Sequence, residues 1–139
     1  METEKSRNVN KFKKWGCWVS TILLSLGMLA GGISQIFQAK ANADGMIQLG
    51  YPLYFMTILG TWKILGVIVL LIPGYTLVKE WAYAGFFFAM SGAVISHIVT
   101  GDGVEKWIPP FIFMLLTIAS WKLRPENKKI KTAQIVSKS

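Results

Sequence analysis

Cysteine and histidine are each used once in 139 residues, and acidic side chains only seven times. Each scarcity excludes something. A dithiol redox relay needs two thiols that can meet, so Cys17 cannot run one within this chain. It reads as a small packing residue near the start of an apolar run. A bis-histidine haem needs a second imidazole, and a zinc site gathers several Cys, His or carboxylate ligands. His97 alone supplies neither, so no metal centre is expected. No phosphate-binding loop, nucleophile elbow or HExxH pattern occurs. Charge is short as well. Asp, Glu, Lys and Arg make up 16% of the chain, against about 25% in ordinary soluble domains.

What charge there is crowds into the ends and the short links, and it is mostly positive. The formal net charge is +8. A basic balance can mark a nucleic-acid binder. Here the lysines abut long apolar runs, so anionic lipid headgroups are the expected partner and nucleic acid is not.

Four apolar runs are predicted to cross a membrane, at about 15–37, 51–72, 79–100 and 108–123. The first would reach roughly 34 Å as a helix, enough for a hydrocarbon core of about 30 Å. Trp15 and Trp18 suit the headgroup belt. Ser20, Gly27, Gly31 and Ser34 share a stripe that includes a GxxxG pair, read as helix packing; homo-oligomerisation is left open. Ala41-Asn42-Ala43 resembles a signal-cleavage site, but the preceding run exceeds a signal h-region, so cleavage is not expected. Residues 38–50 form a polar link in which Asn42, Asp44 and Gly45 favour turns. Pro73-Gly74 ends the second run, and the short link after it predicts an antiparallel hairpin. Gly85, Ala89, Gly92 and Ser96 make a second small-residue stripe. Pro109-Pro110 falls in the first turn of the fourth run, and Glu80 near the start of the third complements a helix dipole.

These runs make the expected fold all-α, an antiparallel bundle of four transmembrane helices over residues 15–124. Basic tails flank it at 1–14 and 125–139, the first solvated and partly disordered. Five Lys or Arg precede the first run and six follow from Lys122, while the opposite-side links hold only Lys40 and Lys106. The positive-inside rule then puts both termini in the cytoplasm of a bacterial inner membrane.

Several separated blocks carry a family resemblance: LGYP (Leu49 to Pro52), LGTWKILG (Leu59 to Gly66), Pro73, KEWAYAGF (Lys79 to Phe86), SGA (Ser91 to Ala93) and SHIVTGD (Ser96 to Asp102). Residues 49–102 resemble the DoxX-like family of small four-helix membrane proteins. The resemblance implies the four-helix bundle. It also implies an association with membrane oxidoreductase assemblies, including a quinone-linked thiosulfate oxidation system.

Lys63 and His97 are the residues most able to carry chemistry. A charge at mid-depth costs on the order of 3 kcal/mol on insertion scales, so Lys63 needs a partner or a task. Side-chain lean and counting from the hinge place Lys63 and His97 at similar depth, in a shared polar pocket. Gln35 and Gln38 can reach that pocket, Asp102 lies just above as counter-charge, and Trp62 can stack on a ligand ring. The bland alternative is that Lys63 pairs with Asp102, Glu80 or a backbone carbonyl and that His97 completes a polar network. The leading expectation is an accessory or subunit protein that binds a membrane lipid or a quinone and associates with membrane redox proteins, with no complete catalytic centre of its own. The alternatives are a membrane enzyme using His97 as proton donor or acceptor, and a small transporter whose Lys63 switches partners.

Overall fold

A computed structural model describes residues 3–125. Those residues form five helices and no strand: α1 Glu4–Ile36, α2 Lys40–Gln48, α3 Leu53–Leu71, α4 Thr76–Val99 and α5 Val104–Lys122. Apart from Pro125, the basic tail expected at 125–139 lies outside the described residues.

Two stretches expected to be irregular are helical. The first turn of α1 is capped by Thr3, whose hydroxyl accepts from the Ser6 amide, and Glu4 complements its dipole. No Gly or Pro interrupts the chain until Gly16. The basic segment therefore continues α1 instead of forming a loose tail. The polar link contains α2, which holds Asn42, Asp44 and Gly45 inside a helix. Alanines at 41 and 43 favour helix there. The chain turns on either side of it, at Gln38 with φ 49° and Gly50 with φ 83°.

The hinge between α3 and α4 uses the Pro73-Gly74 pair as expected, with Gly74 at φ 85° and Tyr75 at φ 52°. It closes sooner than the charge pattern suggests. Because α4 starts at Thr76, Glu80 lies past its first turn. Likewise α5 starts at Val104, so Pro109 and Pro110 sit inside the helix and not in its first turn. Lacking N–H groups, they withdraw the helical donors of the Glu105 and Lys106 carbonyls.

Four helices form a ring. α1 packs on α3 and α5, and α4 packs on the same two. Residue pairings run in opposite senses across the contacts. On α1 and α5, Gly16 meets Leu123 and Gly27 meets Phe113; on α1 and α3, Gly32 meets Gly60 and Gly31 meets Lys63. The GxxxG glycines thus face different neighbours. The close backbone crossing is instead Gly32 on Gly60. A Cβ added to Gly60 would stand 2.6 Å from the Gly32 carbonyl oxygen, and one on Gly32 would stand 2.9 Å from that of Gly60.

The packed core fills the hinge half of the ring. Leu24, Met28, Val67, Leu70, Tyr83, Phe86 and Met90 form it, with Phe113, Met114 and Leu116 against them. Outward faces stay apolar: Trp62, Leu71, Phe88 and Ile95 are all exposed. Three helices, α1, α3 and α4, are long and apolar enough to cross a membrane, and under a third of each is buried inside the protein. So much exposed apolar surface requires lipid, not water, around it. α5 is not among the three; it carries Glu105, Lys106 and its internal prolines.

Gly60→Ala should force α1 and α3 apart, because the obstructing atom is backbone. The expected loss is about 1–3 kcal/mol, read as a lowered thermal midpoint in mild detergent. Gly92→Ala is the control. Its Cβ meets nothing within 4 Å, so it should be neutral or stabilising by up to about 1 kcal/mol.

Candidate ligand cleft and its polar mouth

The α2 half of the ring is not filled. A cleft of about 760 Å³ runs there between α3 and α4, roofed by α2. On the α3 side its wall is Tyr51, just ahead of that helix, and then Phe55, Leu59 and Lys63 within it, spaced four residues apart. Its α4 wall is Phe88, Ala89, Gly92, Ala93 and Ser96. The second small-residue stripe therefore makes space. Neither Gly85 nor Gly92 has a neighbour within 4 Å of a Cβ position, so this stripe grips no helix. Gln35 enters from α1, and His97, Glu105 and Lys106 line the mouth.

Lys63 sits at the floor, about 15 Å below the start of α3 at 1.5 Å per residue. Its Nζ would lie 3.8 Å from a Cβ on Gly31. It makes no hydrogen bond or ion pair among the described residues, so the pairings with Asp102, Glu80 or a carbonyl do not form. Close by, Gln35 Oε1 is buried and accepts no hydrogen bond. The Gln35 and Lys63 backbones meet at the glycine crossing, where Gln35 Cβ and Lys63 Cβ flank Gly60 and Gly32.

His97 lies at the mouth, not beside Lys63. Gly66 packs on Phe86, and Tyr51 OH bonds Ser96 Oγ at 2.9 Å. That register pairs Lys63 with the level of Ala89 and leaves His97 about 12 Å further along α4. The expectation of equal depth fails because Lys63 lies 8 residues from the hinge end of α3 at Leu71, whereas His97 lies 21 residues from the hinge end of α4 at Thr76. Trp62 also stands apart: it is 67% exposed on the outer face of α3 and does not line the cleft. Gln38 is not in the lining either.

Asp102 organises the mouth. Its carboxylate accepts from His97 Nδ1 at 2.7 Å, Lys106 Nζ at 3.1 Å, Thr100 Oγ1 at 3.1 Å and Gln48 Nε2 at 3.2 Å. Lys106 also donates to Gln48 Oε1 at 3.1 Å. This knot ties α2 to the α4–α5 turn. Asn42 Nδ2 on Ser34 Oγ, at 2.6 Å, ties α2 to α1. Donation from His97 and Lys106 holds the Asp102 carboxyl below the usual carboxylate range. With Nδ1–H donating to Asp102, the His97 Nε2 atom is left to bond a polar molecule at the mouth.

The sequence profile of the DoxX-like family matches residues 19–120. The chain belongs to the DoxX-like family. No curated protein and no solved structure matches it significantly. The family match takes in every cleft residue of this DoxX-like protein and stops before Arg124.

A second polar cluster, at the hinge end, is not evident from charge counting. Thr21 Oγ1 and Tyr83 OH both meet Ser120 Oγ, at 2.6 and 2.8 Å. Arg124, 8% exposed, bonds Glu80 at 2.7 Å and lies 5.3 Å over the Tyr83 ring. Glu80 thus joins α4 to α5, beyond the reach of its own helix dipole. Cys17 packs beside this cluster, its Sγ 3.8 Å from the Ser120 carbonyl. The available signal was the lone Thr21, Tyr83 and Ser120 hydroxyls within apolar runs. Among the described residues no group of His, Cys, Asp and Glu could hold a metal.

Acidification tests the mouth. The Asp102 carboxyl is depressed in the folded state. Its contribution is therefore present above the unfolded value of about 3.9 and is lost as pH falls through the lower folded value. The thermal midpoint of wild type should exceed that of Asp102→Asn at pH 5. The difference should shrink below about pH 4. A difference unchanged between pH 5 and pH 2 would contradict the assignment.

Proposed function

We propose that this DoxX-like protein is an antiparallel bundle of four transmembrane helices in a bacterial inner membrane, and that it binds a lipid-soluble molecule, a lipid or a quinone, in the cleft. α5 is the fourth span. Its place in the ring, bridging α1 and α4, supports this, since the other three would otherwise expose Thr21 and Tyr83 to hydrocarbon. Both termini are cytoplasmic, on the lysine and arginine distribution. The protein acts as an accessory or subunit protein beside membrane redox partners, without a complete catalytic centre of its own.

One observation carries the binding reading. Lys63, without a partner among the described residues, lines the cleft together with Gln35, whose amide oxygen is buried and unpartnered. A ligand headgroup there would give Lys63 an acceptor, while Phe55, Leu59 and Phe88 offer apolar contact to its body. Mass spectrometry of small molecules co-purified in mild detergent should find a stoichiometric lipid or quinone with wild type and lose it with Lys63→Met. An empty wild type that is equally well folded would end the reading.

Orientation is tested separately. Protease added to the periplasmic face of sealed membranes should leave both termini intact. Removal of the C-terminal tail from that side would reverse the topology.

A further inference from the structure

We infer that the cleft takes a lipid-soluble carboxylic acid, a long-chain acid whose carboxylate pairs with Lys63. This rests on the reading that the cleft binds a ligand and narrows that ligand to one chemical class.

Charge accounting leads there. A basic side chain within a membrane span is costly and is almost always paired. Lys63 makes no ion pair among the described residues, and the fold covers it only in part, so it is open to a newcomer. The described carboxylates are engaged or held elsewhere. Glu80 bonds Arg124 at the hinge end, and Asp102 bonds His97 and Lys106 at the mouth. Glu105 lines the cleft, but its carboxylate folds back over Gly103, where it would collide with an added Cβ. Asp44 belongs to the α2 roof, and Glu4 opens α1 beyond the hinge end. Opposite Lys63, Ala89 and Gly92 carry no acceptor side chain. A ketone or ester would give Lys63 one hydrogen bond and leave its charge uncompensated. A carboxylic acid answers it in either protonation state. As a carboxylate it pairs with the ammonium. As the neutral acid it gives its proton to the free amine: the acid O–H bond breaks, an N–H bond forms, and the same ion pair results. Depth excludes a phospholipid phosphate. Lys63 lies about 15 Å below the start of α3, near the middle of a hydrocarbon core of about 30 Å, whereas a phosphate stays at headgroup level. A carboxylic acid dissolves in lipid once protonated.

The walls select for a hydrocarbon tail on that acid. Between floor and mouth the lining is Phe55, Leu59, Ala89, Gly92 and Ala93. A small hydrophilic anion gains nothing from these side chains, whereas an alkyl chain buries apolar surface against them. Phe88, 70% exposed on the outer face, also lines the cleft. The cleft therefore meets the lipid-facing surface between α3 and α4. An acid dissolved in the bilayer reaches Lys63 from that edge, without passing the Asp102 knot.

The test compares two probes with one tail, dodecanoic acid and methyl dodecanoate. Each is titrated into the full-length protein in phosphatidylcholine nanodiscs, at matched mole fraction in the lipid, and read by native mass spectrometry. Wild type should bind the acid at least about tenfold more tightly than the ester, since charge-assisted hydrogen bonds are roughly twice as strong as neutral ones. Lys63→Met should bring the acid down to the level of the ester and leave ester binding unchanged. Lys63→Gln, which keeps a donor but no charge, should do the same and serves where the methionine variant does not fold. Lys63→Arg should keep the preference for the acid. Wild type binding the ester as tightly as the acid would overturn the inference and leave a ligand-binding cleft standing. A preference for the acid that survives loss of the Lys63 charge would also overturn it, by placing the carboxylate on another basic group. Failure of wild type to bind either probe would overturn it together with the ligand-binding reading.

Discussion

Where α1 crosses α3, Gly32 and Gly60 bring each backbone against the other's carbonyl oxygen. Lipid tails are as apolar as leucine, so helices in a membrane associate through close packing and hydrogen bonding, not through expulsion of water. A crossing without side chains is the closest that two helices can make. It also sets what lies on either side. Towards the hinge, Leu24 and Met28 of α1 come level with Val67 and Leu70 of α3 and close the core. Towards α2, Gln35 and Lys63 are drawn into one cleft. A bulkier pair at the crossing would separate the two polar groups as well as the helices.

The two halves of the ring treat polar groups in opposite ways. At the hinge end Ser120 is shared by Thr21 and Tyr83, and Arg124 is held by Glu80 and the Tyr83 ring. These contacts join three helices and add to the specificity of their register. In the α2 half the ordered polar contacts lie at the rim, around Asp102, and the floor is left unsatisfied. A packed hinge half beside an open α2 half is consistent with the proposed division between scaffold and ligand cleft.

Much of the helical layout was legible in the sequence because run length and hydropathy are one-dimensional signals. The ends of α1, α3, α4 and α5 fall within a residue or two of the ends of the apolar runs. Starts were harder. Charged residues such as Lys5 to Lys14 and Glu105 join a helix at no hydropathy benefit, so helices α1, α4 and α5 begin earlier than the apolar pattern does. α2 was missed because its polar residues signal a turn one by one, while its alanines and its two bounding turns act together. At the site, Lys63, Gln35, His97 and Asp102 were identifiable as polar residues in or beside apolar runs. Their relative depth follows from counting out from Pro73-Gly74, about 10 residues to Lys63 and about 23 to His97, and the contact of Gly66 with Phe86 gives the same stagger. Trp62 was adjacent to Lys63 in sequence, yet neighbours on a helix point about 100° apart, which turns Trp62 outward. The small-residue stripes show the same limit: composition alone does not distinguish a stripe that admits a helix from one that leaves a cavity.

Arg124 provides the internal comparison for Lys63. Both are basic side chains covered by the fold, Arg124 fully and Lys63 in part. Arg124 is met by a carboxylate and an aromatic face, the arrangement expected when a buried charge serves the fold. Lys63 has neither among the described residues, and the α4 surface opposite it is Ala89 and Gly92, too short to reach it. A leucine at 63 would remove the orphan and fill part of the space, and both changes favour stability. Retaining a lysine therefore holds free energy in reserve at the floor of the cleft. An acceptor supplied from outside the fold would release that reserve, which is the basis of the proposed binding role of the cleft.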